Sequence, residues 1–279
     1  IAASETQKQR DQFLKVWNAR RDDPEYLIVS VPPLPQKNGA KDAAPTLKSK
    51  AFSIGNNQTI PCCWIKSGKF EMGAPPSELG ANPWDKTTKV TISRGFWMAR
   101  TETTQEQWIA VMGKNPSHNQ GDDYPVENID WMHTRQFIQA ANAHAPKGFR
   151  YDLPTDAEWE YACRAGSTTA FHSGKNPTSE KAECKNLDKV GWYDHNSDRE
   201  SHPVAQKLPN AWGLYDMHGN LWEWCADFFE KAPEHDSVDP KGPAQGTGRV
   251  IRSGSFTHTV REARSGNRYF FNPYGYYKT

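Results

Sequence analysis

A stretch of sixteen residues, 209–224, constrains the fold of this chain more than any other segment because it combines turn-forming residues with large aromatic side chains. Gly213 and Gly219 have the backbone freedom that tight turns require. After the second glycine the side chains alternate, so Trp222 and Trp224 share one face. A buried tryptophan face removes a large apolar area from water. The stretch therefore predicts a turn and a strand that pack through their tryptophans.

The other face of the same stretch offers oxygen atoms. Asp216 and Glu223 supply carboxylates, and the turn between them supplies backbone carbonyls. Such a set suits a hard cation such as Ca²⁺, which prefers oxygen ligands. On spacing alone, a well-packed hairpin with two solvated acids is the simpler interpretation.

The composition fits one or two globular domains. The 279 residues include 34 basic and 33 acidic ones, and the formal net charge of +1 argues against a nucleic-acid-binding surface. Mean hydropathy is low, at −0.86. The 11 Trp, 10 Tyr and 12 Phe residues compensate because each ring buries much area. No apolar run reaches the length of a membrane span.

The first 50 residues are interpreted as an extension of the main domain. An amphipathic helix is predicted within residues 1–23, a strand over 26–31 and a polar linker over 36–50. The chain begins with Ile1 rather than Met, so we expect that an export signal or a longer N-terminus has been removed. An exported or cell-surface protein is expected, with a cytoplasmic one as the open alternative.

Capping signals predict three short helices in the main domain. Thr103 with Glu106 begins the first helix, Asp130 the second, and Thr155 with Glu158 the third. Short helices over a twisted mixed sheet indicate an α+β domain. The other predicted elements are strands over 69–72 and 88–93 and a long irregular segment over 167–212.

Six segments, taken in chain order, resemble a known family. The sequence GLYDMHGNLWEW at 213–224 is accompanied by segments 68–73, 102–108, 125–131, 153–166 and 249–256. Together they resemble the formylglycine-generating-enzyme or sulfatase-modifying-factor family, a variant of the C-type lectin fold. The resemblance implies a loop-rich α+β domain with few short helices and twisted mixed sheets over residues 51–279, after the extension 1–50. Family members end with a Gly-Phe-Arg strand, whereas this sequence stops at Thr279, so we expect a truncated chain or a last strand supplied differently.

The resemblance also implies one or two structural calcium ions, which pin loops and do no chemistry. In the first site the ligands are the side chains of Asp216 and Glu223 and the carbonyls of Gly219 and Leu221. The second site uses the Asn186 side chain and the Leu187 carbonyl, with further candidates in Asp194, Asn196 and Asp198.

The cysteines argue against the enzymatic activity of the family. Formylglycine-generating enzymes need a late pair of cysteines, whose soft thiolates bind copper. This chain has five cysteines and none after Cys225, so no copper is expected. Cys163 and Cys225 are predicted to be buried apolar side chains. The ergothioneine-type relatives use an iron site with histidines from a separate helical domain, and residues 1–50 contain no histidine.

The C-terminal segment 257–277 is rich in Tyr, Phe and Asn, which give contact area at low entropy cost. It is similar to the variable region of diversity-generating-retroelement proteins, which display mutable ligand-binding residues on this fold. We therefore expect a non-catalytic protein that binds a protein or glycan ligand, without a nucleic-acid partner or a direct membrane span. The predicted ligand-binding residues are Thr257, His258, Thr259, Asn267, Tyr269, Phe270, Phe271, Asn272, Tyr274, Tyr276 and Tyr277.

Three alternatives stay open. Ordinary members of the family carry aromatic residues in this segment as part of the core. An oxidoreductase or maturation factor would use a shifted active site around His258, Arg261, Arg264 and Arg268. A structural subunit of an envelope assembly would use residues 1–50 as a tether.

Overall fold

The computed structural model describes residues 47–82, 85–231 and 236–275, together with the backbone of Leu27–Ile28. The helix predicted within 1–23, most of the predicted linker, and Tyr276 and Tyr277 lie outside the described residues. In chain order the strands are β1 (Leu27–Ile28), β2 (Ser49–Gly55), β3 (Gln58–Ile65), β4 (Gly68–Met72), β5 (Thr88–Ile92), β6 (Phe96–Ala99), β7 (Tyr151–Asp152), β8 (Glu223–Phe228), β9 (Ser237–Val238), β10 (Arg249–Arg252) and β11 (Tyr269–Phe271). The helices are α1 (Gln105–Met112), α2 (Trp131–Asn142), α3 (Asp156–Arg164) and α4 (Lys185–Asp188).

Five strands form the largest described sheet, in the order β2-β3-β6-β1-β7. β1 lies parallel to both β6 and β7, so the strand predicted over 26–31 is present and belongs to the sheet of the main domain. β2 begins at Ser49, inside the segment predicted as a linker. The domain boundary after residue 50 stays a prediction. The other described sheets have three strands each, in the orders β4-β5-β9 and β11-β10-β8.

The observed capping residues agree with the predicted ones at two helices and differ by one position at the third. Asp130 accepts a hydrogen bond from the backbone of His133 at the start of α2, as predicted. A reciprocal capping box of Thr155 and Glu158 begins α3, also as predicted. The box predicted for α1 is wrong by one residue, because Thr104 and Gln107 form it instead of Thr103 and Glu106.

The apolar core consists of two large clusters and a smaller one. One large cluster joins α3, through Trp159 and Tyr161, to strands of both three-stranded sheets. The second joins the main sheet to α1 and α2, where the rings of Trp108 and Phe137 stack at 5.1 Å. The third packs part of the long irregular segment 167–212 against residues of the C-terminal region. Its members are Phe171, Cys184, Leu187, Val190, Tyr193, Val260 and Ala263.

A buried guanidinium connects α3 to the C-terminal part of the chain. Arg252 of β10 is fully buried, and its Nε and Nη2 donate to the carboxylates of Asp156 and Glu160 on α3. Its Nη1 donates to the carbonyls of Ser265 and Asn267, at 2.8 Å and 2.9 Å. A buried charge is tolerated only when it is paired and hydrogen-bonded in this way. The Arg252 network therefore fixes the loop that precedes β11.

Substituting Arg252→Leu removes the guanidinium that bridges two buried carboxylates and leaves each of them with one other arginine, Arg268 at Asp156 and Arg164 at Glu160. We expect it to lower the free energy of unfolding by about 3 kcal/mol. Arg150→Leu is the matched control, because Arg150 is partly exposed and lies 3.5 Å from Asp152. It should cost about 1 kcal/mol or less. Urea denaturation of both variants measures the difference, and equal losses would contradict a special role for Arg252.

Candidate functional site

The turn before β8 is built from residues in the left-handed region of the backbone. Gly213, Asp216 and Gly219 have φ angles of 82°, 54° and 91°. A side chain at position 219 would bring its Cβ to 1.8 Å from the carbonyl oxygen of Trp192, so only glycine fits there. The glycines thus serve the turn geometry that the sequence predicts.

Glu102, from the segment just before α1, holds this turn in place. Its Oε1 accepts a hydrogen bond from the backbone N–H of Leu221 at 2.8 Å, and its Oε2 accepts one from Asn220 Nδ2 at 2.7 Å. This role of Glu102 was not predicted, because its two partners lie 118 and 119 positions away in the chain. The available signal was that an acid opens the second of the six family segments.

Asp216 lies inside the molecule, whereas Glu223 is half-buried like the two tryptophans, so the predicted burial of the tryptophan face is wrong. Asp216 is 1% exposed. Its Oδ2 accepts a hydrogen bond from the backbone of Ala205 at 2.7 Å, and Oδ1 is buried without a partner. Glu223 accepts a hydrogen bond from Trp159 Nε1 at 2.8 Å. Trp222 and Trp224 are only half-buried.

Burial raises the pKa of all three acids around the turn, and neighbouring negative charge adds to the increase at Glu223 and Glu102. Burial raises the pKa of Asp216 to about 7. Burial and the neighbouring Asp216 charge raise the pKa of Glu223 to about 8. The pKa of Glu102 is also raised, first by burial and then by the charges of Asp216 and Glu223. Among the described residues, none of the three forms an ion pair with Lys or Arg. A buried negative cluster of this kind suits a bound cation.

The donor set around Asp216 fits calcium only if backbone carbonyls take part. No group of three or more His, Cys, Asp and Glu side chains in the described part of the chain could hold a metal ion. The predicted set has two carboxylates, Asp216 and Glu223, and the carbonyls of Gly219 and Leu221. The Gly219 carbonyl also accepts a hydrogen bond from Ser253 Oγ at 2.9 Å. The unpartnered Asp216 Oδ1 is the observation that favours an ion here.

The predicted second site is less well assembled. The Leu187 carbonyl already accepts hydrogen bonds from the amides of Val190 and Gly191, at 2.8 Å and 2.9 Å. Asn186 Nδ2 donates to the carbonyl of Asn176 at 2.9 Å. Asn196 Oδ1 accepts from the backbone of Tyr193. The second site stays a prediction, and several of its candidate calcium ligands already take part in local hydrogen bonds.

The predicted ligand-binding residues among those described fall into three groups by exposure. Tyr269, Phe270 and Tyr274 are 47%, 44% and 41% exposed, and Asn272 is exposed as well. Asn267, by contrast, is buried. The half-buried members are Thr257, His258, Thr259 and Phe271.

A cavity of about 320 Å³ lies beside Trp222. His258 contributes to its wall, and burial lowers the pKa of His258, so the imidazole is neutral at pH 7. The Nδ1 atom of His258 lies 2.6 Å from Ser255 Oγ. Further lining residues are Asn82, Arg261, Asn267 and Tyr269. The sequence analysis found His258, Asn267 and Tyr269 but missed Asn82, which is remote in sequence.

All five cysteines are buried free thiols. Burial raises the pKa of Cys163 to about 12 and also raises that of Cys225. The predicted burial of these two residues is confirmed. Neither lines the cavity beside Trp222.

The sequence comparisons point to one family. Residues 50–278 match the family described as sulfatase-modifying factor enzyme 1-like domain. Chaperone protein LppX of Paenibacillus barcinonensis is 28% identical over 226 residues, which cover 62% of this chain and 73% of that protein. The formylglycine-generating enzyme of Streptomyces coelicolor is 31% identical over 164 residues, 53% of this chain and 50% of the enzyme. The chain thus spans about half the length of this enzyme.

Solved structures agree with the predicted fold class. Treponema denticola variable protein 1 superimposes with a TM-score of 0.70 at 27% identity, covering 81% of this chain and 94% of that protein. PvdO from Pseudomonas aeruginosa gives a TM-score of 0.69 at 25% identity, covering 85% and 95%. The α+β, C-type lectin-like fold is therefore confirmed. No helix among the described residues combines the length and apolar character that crossing a bilayer requires.

Adding Ca²⁺ should stabilise the protein through the first predicted site. At a free concentration about 100 times Kd, the gain in unfolding free energy is about 3 kcal/mol. Glu223→Gln keeps an acceptor for Trp159 but removes a charge, so it should weaken the calcium response. Glu71→Gln, at an exposed position of β4, is the control. Thermal melting with CaCl₂ measures the response. An unchanged melting temperature for the wild type would contradict the predicted calcium site.

In EDTA the Asp216 carboxylate should make stability depend on pH. The folded-state pKa, about 7, lies above the ordinary value of 3.8 for an aspartate in an unfolded chain. Ionisation therefore opposes folding, and the stability present below pH 3.8 is lost as the pH rises through about 7. Asp216→Asn removes this titration, and Asn tolerates the positive φ. Urea unfolding between pH 5 and 8 should show the wild type losing stability relative to the variant. A constant difference would contradict this assignment.

Proposed function

Because this chain belongs to the family of sulfatase-modifying factor enzyme 1-like domains, we propose that it uses their fold as a rigid frame for a non-catalytic ligand-binding surface. The surface lies at the C-terminal end of the described residues, and its ligand is a protein or a glycan. Calcium at the central turn is part of the proposal, as a structural ion.

A continuous row of aromatic side chains carries this proposal. Trp222 contacts His258 at a ring-centroid distance of 5.1 Å and Tyr269 at 6.0 Å. Tyr269 continues to Phe270 at 5.8 Å, and Phe270 stacks on Phe229 at 4.6 Å. Aromatic side chains that are rigid and partly exposed are typical of binding surfaces. We name Trp222, Phe229, His258, Tyr269 and Phe270 the aromatic row.

The underlying frame is stiff where the aromatic row is attached. β11 pairs with β10, which pairs with β8, so the exposed rings of Tyr269 and Phe270 stand on a three-stranded sheet. The loop before β11 is held by the Arg252 network through the carbonyls of Ser265 and Asn267. A preformed surface loses little conformational entropy when a ligand binds. This arrangement suits variation of surface residues without loss of the fold.

The similarity to Treponema denticola variable protein 1 supports a variable-protein function. The finer proposal is that this chain is of the diversity-generating-retroelement type, in which positions such as Tyr269 and Asn272 vary between copies of the gene. A neighbouring reverse-transcriptase gene and a near-identical template repeat in the genome would support it directly.

The rival enzymatic interpretation places an active site around His258 and three arginines. Two of these have structural partners, since Arg264 pairs with Glu78 and Asp85, and Arg268 pairs with Asp156. His258 and Arg261 remain at the cavity. The copper chemistry of the formylglycine-generating enzymes requires accessible thiolates. The five thiols here are buried, which favours binding over oxidation.

The double variant Tyr269→Ser/Phe270→Ser should lose ligands without losing the fold. Wild type and variant are presented to a glycan array and a displayed peptide library, and the selected ligands are ranked by affinity. Removing two aromatic contacts should weaken binding by about tenfold or more. Leu208→Ser is the control, because Leu208 is 59% exposed and lies outside the aromatic row. Identical ligand sets and affinities for wild type and double variant would argue against the aromatic row.

Oxygen consumption tests the rival function. With copper and a CxPxR-containing peptide, the protein should consume oxygen no faster than copper and peptide alone. Protein-dependent uptake accompanied by oxidation of the peptide cysteine would overturn the non-catalytic proposal. Loss of that uptake in His258→Ala would then assign it to the cavity.

A further inference from the structure

We propose that the cavity beside Trp222 binds a carboxylate carried on an aromatic ring. This inference rests on the proposed function, because the cavity shares Trp222, His258 and Tyr269 with the aromatic row. It adds the chemical class of the group that the surface recognises. Three features of the cavity carry it: unpartnered donors, a cation without a carboxylate partner, and an aromatic wall.

Asn267 supplies the first unpartnered donor. Its side chain is 4% exposed, and its Nδ2 is buried without a hydrogen-bond partner although the residue lines the cavity. Its backbone is held on both sides, since its N–H donates to the Arg264 carbonyl at 3.0 Å and its carbonyl accepts from Arg252 at 2.9 Å. The side chain is therefore fixed at the cavity wall, and leaving its donor unsatisfied costs about 1–3 kcal/mol.

Trp222 supplies the second donor. Its indole Nε1 is also buried without a partner, and the residue lines the same cavity. An indole N–H can only donate, and the free Asn267 Nδ2 donates as well. A ligand that satisfies both atoms must offer acceptor oxygens, and a carboxylate offers two.

The charges around the cavity favour an anion. Arg261 donates to Asn82 Oδ1, and in the described part of the chain it has no carboxylate partner. Arg268 adds a second guanidinium to the wall, although Asp156 pairs with it. One acid lines the cavity among the described residues, Glu262. Its Oε2 accepts hydrogen bonds from the backbone and hydroxyl of Thr259, at 3.1 Å and 2.6 Å.

The aromatic wall favours a ligand in which a flat apolar group lies next to the carboxylate. Trp222 and Tyr269 are inclined at 31°, and the His258 ring meets Trp222 at 78°. Offset and edge-to-face arrangements leave ring surface to contact a further ring. The volume of about 320 Å³ is at the small end of the range for ligand pockets, which suits one ring bearing one acidic group.

Isothermal titration with phenylacetate, phenylacetamide and phenethylamine tests the proposal on the full chain. Phenylacetate should bind most tightly, phenylacetamide about tenfold more weakly, and phenethylamine not measurably, because only the acid offers two acceptors and a negative charge. Raising the salt concentration should weaken phenylacetate selectively. Equal affinities for the acid and the amine would overturn the proposal.

Two variants locate the binding. Asn267→Asp is nearly isosteric but replaces the donor with a negative charge, so phenylacetate affinity should fall about tenfold or more. Arg261→Gln keeps a polar side chain and should remove much of the salt dependence. Asn57→Asp introduces the same charge at the exposed turn between β2 and β3 and should change nothing. Thermal melting of each variant verifies the fold, and unchanged affinity in a folded Asn267→Asp variant would refute the site.

The outcome separates this inference from the proposed function. If phenylacetate fails to bind while ligands from the array are lost in Tyr269→Ser/Phe270→Ser, the carboxylate site is wrong and the surface function stands. If phenylacetate binds and depends on Asn267, but the array and library yield no ligand, the cavity stands and the broader function fails.

Discussion

The burial of Arg252 is the interaction on which the C-terminal half of the structure depends. Two carboxylates on α3, Asp156 and Glu160, take its charge, and two loop carbonyls take its remaining hydrogen bonds. An isolated guanidinium in this position would be prohibitively costly, so the helix, β10 and the loop before β11 must assemble together. Because that loop precedes Tyr269 and contains Asn267, the geometry of both the aromatic row and the cavity follows from one buried network of ion pairs and hydrogen bonds.

The central turn shows the opposite electrostatic state. Burial raises the pKa of Glu102, Asp216 and Glu223, and the charge of Asp216 adds to the increase at the other two. The described residues supply the three acids with amide and indole donors but no ion-paired cation. The two regions are neighbours, since Ser253 follows Arg252 directly and its hydroxyl donates to the carbonyls of Asp216 and Gly219. A cation could bind the carboxylates of the central turn without any rearrangement of the Arg252 network. This contrast is the physical basis for expecting calcium at the turn.

Sequence patterns predicted the features that depend on contacts between residues close together in the chain. The caps at Asp130 and Thr155 were found because each involves residues three positions apart. The cap of α1 was misplaced because Thr103 and Thr104 both have a suitable partner three residues on, and only packing chooses between them. Alternation showed that the tryptophans and the acids occupy different faces, but Glu102, 119 positions from Leu221, decides which face is inside. Asn82 was missed at the cavity for the same reason, since its partner Arg261 is 179 positions away.

These long separations have a consequence for how the protein is made. The contact between Asp156 and Arg252 spans 96 positions, and residues of β10 leave the ribosome long after α3. Until they do, Asp156 and Glu160 lack the Arg252 guanidinium, although Arg164 on the same helix pairs with Glu160, and the cluster around Trp159 lacks Val250. Non-local contacts are slow to form and leave apolar surface open to association. This part of the fold can therefore be completed only after β10 has been synthesised.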